Sequence, residues 1–246
     1  MIPASIFTAP TSQRYGGMAT DGISLYIIGR YSAGHGIFKL NATTFALEGF
    51  CPVPAILGAS WTGDIIFDGT YIYTCSVNAP TFVFQINPTT MTIVGTWSGD
   101  GTDDCSEIHL GYDAGYIYAG LYKTPGRVIQ INKATMLTVA KWNGVGVGTG
   151  RITVFGGFIY APITTGVTGV YKINPVGMVD VSSYACFPFW TGNDGVRLLV
   201  TEKQFGGADP VRYFRRVNPA TMLLIDSYDN VTALGDYITW DGTYAY

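Results

Sequence analysis

The densest group of side chains that could do chemistry lies between Asp100 and His109, where four carboxylates and one imidazole occur within ten residues. Hard cations such as calcium take oxygen ligands, and histidine adds a ligand that transition metals also accept. The candidate metal ligands are Asp100, Asp103, Asp104 and Glu107. Their spacing differs from the Asp-x-Asp-x-Asp-Gly calcium loop, so the sequence favours a solvated connecting loop without a cofactor and leaves calcium as the alternative.

Nucleophilic or acid–base catalysis has little support in the residue pattern. The two histidines, His35 and His109, lie far apart, and the Gly-rich stretch around His35 predicts an exposed loop. The chain contains no Gly-x-Ser-x-Gly elbow, no phosphate-binding loop and no dinucleotide fingerprint. The sequence therefore predicts no catalytic residues and a protein that is not an enzyme.

The four cysteines are widely and unevenly spaced and form no Cys-x-x-Cys pair; they are Cys51, Cys75, Cys105 and Cys186. This pattern is neither a zinc signature nor a disulfide framework. Cys75 lies on a predicted strand, where a free cysteine packs as a small hydrophobic residue. A disulfide between Cys51 and Cys105 is an alternative that the sequence leaves open.

The distribution of charge argues about nucleic-acid binding, and the apolar runs argue about secretion and membrane insertion. The 246 residues include 14 Lys and Arg and 17 Asp and Glu, which gives a net charge of −3. The basic residues are scattered, which argues against a nucleic-acid partner. The first residues lack the basic start and apolar run of a secretion signal, and no apolar stretch is long enough to span a bilayer. The sequence predicts a soluble protein with no signal peptide and no membrane span.

The strands that must position any site are predicted by a repeated sequence pattern. One pattern recurs in five copies: an apolar residue, an asparagine, a turn rich in Pro, Ala and Thr, and a further apolar residue. The copies start at Leu40, Ile86, Ile131, Ile173 and Val217. Successive asparagines lie 46, 45, 42 and 44 residues apart. This period fits one four-stranded propeller blade and exceeds that of leucine-rich or ankyrin repeats. In the turn, Pro suits the second position, and the Asn side chain can bond the backbone two residues on.

A second phrase, Asp-Gly or Gly-Gly between apolar runs, precedes each copy. It occurs six times, at residues 18–22, 66–73, 112–118, 155–160, 194–196 and 240–246. Because Gly takes positive φ without a steric penalty, the phrase predicts a tight hairpin between the first and second strands of each unit. In the clearest unit the four strands are predicted at 64–67, 70–77, 81–86 and 91–97. No segment has the 3.6-residue apolar period of a helix.

These repeats predict an all-β fold, a single β-propeller domain covering 1–246. The complete units lie at about 15–50, 64–97, 108–142, 152–184 and 186–228. A sixth, three-stranded unit is expected from 237–246 together with 1–10, because the second phrase occurs once more than the first. The segment Ser5 to Thr8 would pair beside the C-terminal hairpin and close the ring without a free edge. A five-bladed ring with the extra hairpin docked elsewhere is the alternative.

One repeat resembles the blade consensus of the YVTN-type and NHL-type β-propellers, in which an Asp/Asn-Pro-x-Thr turn precedes the outer strand. The matching residues are Ile86-Asn87-Pro88-Thr89-Thr90-Met91-Thr92-Ile93-Val94-Gly95. The likeness extends over essentially the whole chain and implies a fold rather than a function. Streptogramin lyases share this class of blade, but their pattern needs a His-x-His pair and a carboxylate. Neither histidine of this chain is in such a pair, which argues against lyase chemistry.

The candidate binding residues come from the connections that a propeller gathers on one face around its central channel. These connections are predicted at 30–32, 53–61, 122–125, 144–151, 190–193 and 203–209. Exposed aromatic residues beside hydrogen-bonding side chains suit protein partners and glycans. The candidates are Tyr31, Trp61, Tyr122, Trp190 and Arg151. By contrast, Trp97, Trp142 and Trp240 lie in strand phrases and are predicted to pack in the core.

The predicted function is that of a non-enzymatic β-propeller interaction or structural module with a protein partner or a glycan. Only 13% of the residues are charged, about half the usual share. Together with the many Gly, Thr and Tyr residues, this favours an extracellular or virion location, with repeated copies in an assembly such as a virus or phage particle. The alternative function is a carbohydrate-active or lyase-type propeller enzyme that uses the central face.

Overall fold

The computed structural model describes residues 14–31, 34–54, 63–76, 80–204 and 211–229. Within these ranges every regular element is a β-strand, as the sequence predicts. None of the described residues belongs to a helix that could cross a bilayer. Trp61, Trp240 and the expected sixth unit lie outside the described residues. The chain divides into two compact units, residues 1–110 with 134–137 and residues 111–133 with 138–246.

The first unit contains two antiparallel four-stranded sheets whose strands pair in sequence order. The first sheet is made of β1 (Arg14–Thr20), β2 (Ser24–Tyr31), β3 (Gly34–Asn41) and β4 (Leu47–Val53). The second is made of β5 (Ile65–Phe67), β6 (Ile72–Ser76), β7 (Phe82–Asn87) and β8 (Thr92–Ser98). The strands of this second sheet agree closely with the four that the sequence predicts.

Most of a third sheet and all of a fourth and a fifth belong to the second unit. The third sheet has β9 (Ile108–Tyr112), β10 (Tyr116–Leu121), β11 (Arg127–Asn132) and β12 (Thr138–Asn143). The fourth has β13 (Val147–Thr149), β14 (Thr153–Phe155), β15 (Phe158–Thr165), β16 (Gly169–Asn174) and β17 (Val179–Tyr184). The fifth has β18 (Pro188–Asn193), β19 (Leu198–Gln204), β20 (Val211–Val217) and β21 (Leu224–Asp229). Because β13 and β14 both pair with β15, they form one interrupted first strand.

The turns between first and second strands have the geometry that their sequence predicts. Gly22, Gly69 and Gly195 have φ values of +87°, +94° and +84°. The aspartate before the glycine closes the turn, since Asp68 Oδ1 accepts hydrogen bonds from two backbone amides at 2.9 and 2.8 Å. These hairpins therefore depend on two residue types, a glycine that tolerates positive φ and an aspartate that pairs the turn amides.

Each asparagine turn ends on a residue in the left-handed region, which the sequence analysis did not predict. The residues at the fifth position have φ between 50° and 56°; they are Phe45, Met91, Met136, Met178 and Met222. In the second copy, Asn87 Oδ1 accepts hydrogen bonds from the amides of Thr89 and Thr90 at 2.8 and 3.1 Å. The amide of Met91 donates to the Asn87 carbonyl oxygen at 2.8 Å. A left-handed non-glycine residue costs about 1–2 kcal/mol, so packing must offset this cost.

The methionine side chains supply that packing, and we call the four segments that carry them methionine turns. The four methionines are 3–6% exposed, and each packs against the sheet that precedes it in the chain. Met91 joins the core cluster around Tyr26 and Ile37, and Met222 joins the cluster around Tyr160 and Val170. A Cβ on Gly95 would lie 2.8 Å from Met136 Cγ. The sequence therefore keeps a small residue where the methionine lies.

Polar side chains fasten the same turns. Lys39 Nζ donates a hydrogen bond to the carbonyl oxygen of Pro88 at 3.2 Å, and Lys172 Nζ donates to that of Pro219 at 2.7 Å. In both sheets the lysine lies directly opposite a buried tyrosine of the neighbouring strand. The fifth sheet differs, because Leu199 pairs with Arg216 there. Arg216 forms an ion pair with Asp226 of the outer strand.

Candidate functional site

Three of the predicted binding residues, Tyr122, Arg151 and Trp190, have described side chains, and all lie in the second unit. Tyr31 ends β2 instead of lying in a loop, and Trp61 is outside the described residues. Trp190 lies in β18 and is 7% exposed, so its predicted loop position is wrong. The run of aromatic residues before Trp190 continues directly into the first strand of the fifth sheet. Whether any of these residues binds a partner stays a prediction.

Arg151 and Trp190 belong to neighbouring sheets and are joined by backbone contacts. They form an isolated parallel β-bridge. The carbonyl oxygen of Arg151 accepts hydrogen bonds from Thr191 Oγ1 at 2.7 Å and from the Thr191 amide at 3.3 Å. The Arg151 guanidinium carbon lies 6.0 Å from the centre of the Trp190 ring, within the range of a cation–π contact. The backbone therefore fixes a half-buried cation beside an indole.

Phe189 packs against this pair, and Phe187 lies close to it in the sequence. The Phe189 ring meets the Trp190 ring edge to face, with 5.5 Å between their centres and 77° between their planes. Phe187, two residues earlier, is 53% exposed. We call Arg151, Phe187, Phe189 and Trp190 the aromatic cluster. Sequence reasoning missed both phenylalanines, although three aromatic residues within four positions are a visible signal.

A partly buried ion pair lies beside the aromatic cluster. Arg215 Nε is 3.2 Å from Glu202 Oε1, and the Arg215 guanidinium lies over the Tyr213 ring at 4.4 Å. Glu202 lies opposite Pro188 across the strand pair β18 and β19. Burial raises the pKa of Glu202 above its ordinary range, while the nearby Arg215 and the Phe187 backbone amide act in the opposite direction. The pair holds the start of the aromatic segment against the sheet.

Tyr122 is held by the Gly-rich segment 144–151, whose composition predicts a loop. That segment contains strand β13, so the loop prediction for 144–151 is wrong in part. A Cβ on Gly148 would lie 2.3 Å from the Tyr122 ring, and Gly148 has a φ of +73°. The half-buried ring therefore packs directly on the glycine backbone. This contact positions Tyr122 and leaves only part of its ring accessible.

The candidate metal ligands do not converge. Asp100 Oδ1 accepts two hydrogen bonds from Thr102, at 2.9 and 2.6 Å, and Glu107 lies 3.1 Å from His109 Nε2. Asp103 is 1% exposed, so the expectation of a solvated loop is wrong for that residue, while Asp104 is half-buried. Among the described residues, no three His, Cys, Asp or Glu side chains are placed to hold a metal ion. Calcium binding stays an untested prediction.

The two histidines lie on strands and are buried. His35 is in β3 and 9% exposed, so the prediction of an exposed loop histidine is wrong; β3 begins one residue before it. His109 is in β9, with Nδ1 3.9 Å from Asp64 Oδ2. Asp64 accepts hydrogen bonds from the backbone amides of Ile65 and Leu110 at 2.9 and 3.1 Å. Its carboxylate thus fastens two strands within the first unit.

All four cysteines are free thiols, so the alternative of a Cys51–Cys105 disulfide is wrong. Cys75 lies on β6 and is fully buried, as predicted. Burial raises the pKa of its thiol well above the ordinary value, so the group is neutral at physiological pH. Trp97 and Trp142 are 2% and 4% exposed, which confirms the prediction that they pack in the core.

Solved structures of low sequence identity share the fold. A structure of the mitotic checkpoint complex matches 96% of this chain and 76% of its own chain, with a TM-score of 0.69 and 10% identity. The WD40 domain of Pan2 from Neurospora crassa matches 88% of this chain with a TM-score of 0.64 and 8% identity. Hydrazine synthase from Kuenenia stuttgartiensis matches 82% with a TM-score of 0.61 and 16% identity. This chain spans 65% of the length of each of the latter two.

These matches establish the fold class, because WD40 repeats form β-propellers of four-stranded blades. The protein is an all-β chain of the β-propeller class, as the repeat period predicts. No protein-family model matches the sequence, and a search among curated proteins returns no significant relative. At identities of 8–16% the likeness extends to the fold alone.

Proposed function

We propose that this chain is a non-enzymatic interaction module that binds a protein partner through the aromatic cluster. The observation that carries the proposal is the placement of Arg151 beside Trp190 by a backbone bridge, with the 53% exposed Phe187 three residues before Trp190 in the sequence. Arginine and tryptophan are enriched among the residues that dominate binding energy, and such residues lie in rigid, largely desolvated positions. The cluster has this composition, and strand β18 supplies the rigidity.

The ionisable groups near the aromatic cluster suit binding of a partner better than catalysis. The Glu202 carboxylate is paired with Arg215, and the half-buried Cys186 thiol has a raised pKa because of desolvation. A thiol with a raised pKa is protonated at neutral pH and is therefore a weak nucleophile. The checkpoint-complex match is a protein assembly by its description, and the hydrazine synthase match is an enzyme. The likeness in fold is therefore compatible with both classes, and the proposal depends on the cluster.

The proposed architecture is a six-bladed ring of the YVTN or NHL type, with the sixth blade built from both termini. The fifth sheet supports it, because Leu199, Arg216 and Asp226 replace the residues that hold a methionine turn in earlier sheets. The predicted sixth unit, 237–246 together with 1–10, contains no asparagine turn. Five blades remain the alternative. We further propose an extracellular or virion location, which the low charge content supports.

The binding experiment immobilises four forms of the chain and exposes each to the protein extract of the native source. The wild type and Val139→Ala should retain the same defined protein at stoichiometric amounts, and Phe187→Ala should reduce that retention about tenfold or more. Val139 is the matched control, since both side chains are 53% exposed in the second unit. Arg151→Ala provides a second variant from the other half of the cluster.

Two results would overturn the proposal. The first is equal retention by the wild type and by both cluster variants, with all chains shown to be folded by their thermal transitions. The second is a glycan, in place of a protein, as the species that depends on the cluster. If the wild type also cleaved that glycan, the carbohydrate-active alternative would replace the interaction module.

A further inference from the structure

The phenylalanine that the aromatic cluster exposes most lies on a short connection between two sheets of the second unit. Strand β17 ends at Tyr184 and strand β18 begins at Pro188, so the connection contains only residues 185–187. Phe187 is its last residue and is 53% exposed. An exposed ring binds tightly only where the backbone that carries it is already held in its bound position. The groups that hold this connection therefore decide how Phe187 meets a partner.

One carboxylate bonds the connection at both ends. Glu202 lies on β19, opposite Pro188 of β18, and is 8% exposed. It accepts hydrogen bonds from the Tyr184 hydroxyl and from the Phe187 backbone amide. Because these donors lie at the two ends of the connection, Glu202 fixes where the chain leaves the fourth sheet and where it enters the fifth.

Arg215 supplies the positive charge that stabilises the ionised Glu202 carboxylate. Arg215 Nε, on β20, lies 3.2 Å from Glu202 Oε1. The further titratable groups around the carboxylate are Tyr184, Cys186 and Tyr213, which pairs with Glu202 across β19 and β20. Hydrogen bonds to a charged group contribute more than hydrogen bonds to a neutral one. Protonation of Glu202 therefore weakens its bonds to Arg215 and to the Phe187 amide.

We infer that the ionised Glu202 carboxylate positions Phe187 for the protein partner, and that acidification releases this partner. The inference rests on the proposed function and adds a regulation to it. Burial raises the pKa of Glu202 above its ordinary value of 4.5, although Arg215 and the two hydrogen bonds act in the opposite direction. Glu202 thus takes up its proton between pH 7 and pH 4.5, and the hold on Phe187 weakens over the same range.

Retention at pH 7 and at pH 4.5 tests the regulation, and the probe is the protein that the immobilised wild type retains from the extract. Glu202→Gln keeps neutral hydrogen bonds at both pH values, so titration of the partner itself cancels when the wild type is compared with this variant. At pH 7 the wild type should retain about fivefold more, the difference between a charged and a neutral hydrogen bond. At pH 4.5 this excess should fall below about threefold, since more than half of the folded chain is then protonated at Glu202.

Glu107→Gln is the matched control and should retain the probe like the wild type at both pH values. Glu107 lies in the first unit, and its pKa is lowered by His109. The inference would be overturned by an excess over Glu202→Gln that is absent at pH 7 or unchanged at pH 4.5. In that case a loss of retention by Phe187→Ala would still support the proposed function. Equal retention by Phe187→Ala would instead remove the proposed function itself.

Hydrogen exchange of the unmodified chain tests the positioning role without a partner or a variant. The Phe187 amide donates to Glu202, whereas the Thr191 amide donates to the Arg151 carbonyl oxygen at 3.3 Å. Both amides have the same base-catalysed dependence on pH, so the ratio of their exchange rates isolates the effect of Glu202. The Phe187 rate relative to the Thr191 rate should rise about threefold as the pH falls from 7 to 4.5. A constant ratio would show that Glu202 does not hold Phe187.

Discussion

At the scale of single residues, glycine contacts decide how the aromatic side chains are held. Gly148 combines a φ of +73° with a Tyr122 ring that leaves no room for a Cβ. Gly177 has a similar φ of +80° and no atom within 4 Å of its Cβ position. A substitution at Gly177 therefore tests backbone strain alone, and one at Gly148 tests strain together with packing.

Gly177→Ala should lower the free energy of unfolding by about 1–2 kcal/mol through positive φ alone. Gly148→Ala should cost about 1–3 kcal/mol more, because the added methyl group displaces the Tyr122 ring. Urea unfolding of the two variants measures the difference. Equal losses would show that the Tyr122 ring does not lie on Gly148.

The raised pKa of Glu202 predicts a pH effect on stability. The folded chain holds this proton to a higher pH than the unfolded chain, so the contribution of Glu202 to stability falls as pH rises above its ordinary pKa of 4.5. Glu202→Gln removes the titration and keeps an acceptor for Arg215. The unfolding free energy of this variant minus that of the wild type should therefore grow between pH 4.5 and pH 7.

Glu107→Gln is the control with the opposite sign. The hydrogen bond with His109 lowers the pKa of Glu107, so this carboxylate stabilises the fold above its ordinary pKa and loses that effect as pH falls. The unfolding free energy of Glu107→Gln minus that of the wild type should then decrease as pH rises toward 4.5. Parallel pH profiles for the two variants would contradict the assignment of Glu202.

Residue-level predictions from the sequence were accurate where local chemistry dominates. Cys75, Trp97 and Trp142 are buried as predicted, because each lies on a strand that the repeat predicts. His35 and Trp190 were wrongly assigned to loops. Their burial depends on neighbouring strands, which the residues on either side of them do not reveal.

At the scale of elements, the methionine turn is the unit that couples one sheet to the next. Met222 is 3% exposed and packs with Tyr160 and Val170, whereas Val176 occupies an equivalent turn and is 79% exposed. Met222→Ala should lower the free energy of unfolding by about 2–5 kcal/mol through lost packing. Val176→Ala should change it by less than about 0.5 kcal/mol. Denaturant unfolding measures both, and similar effects would contradict the packing assigned to the turn.

The asparagine and glycine turns were readable from sequence because their backbone needs are local. Asn41, Asn87 and Asn218 bond the amide two residues on, as predicted. The left-handed fifth residue was not predicted, since a methionine gives no conformational signal by itself. The recurrence of Phe or Met at that position in all five copies was the available sign.

At the scale of the whole molecule, the repeat period sufficed to predict the β-propeller class, because each sheet needs neighbours to cover its faces. The period could not predict the aromatic cluster, which brings Arg151 together with Trp190 from 39 positions later in the sequence. It also left the number of blades open between six and five. Sites formed between repeats depend on which loops converge, and that is a property of the assembled fold.

The most direct test of the account is a density map of the protein in its native assembly. We expect a six-bladed ring whose aromatic cluster is covered by a protein partner. A cluster that faces solvent in that assembly, or sheets that stack in a line instead of circling an axis, would contradict it.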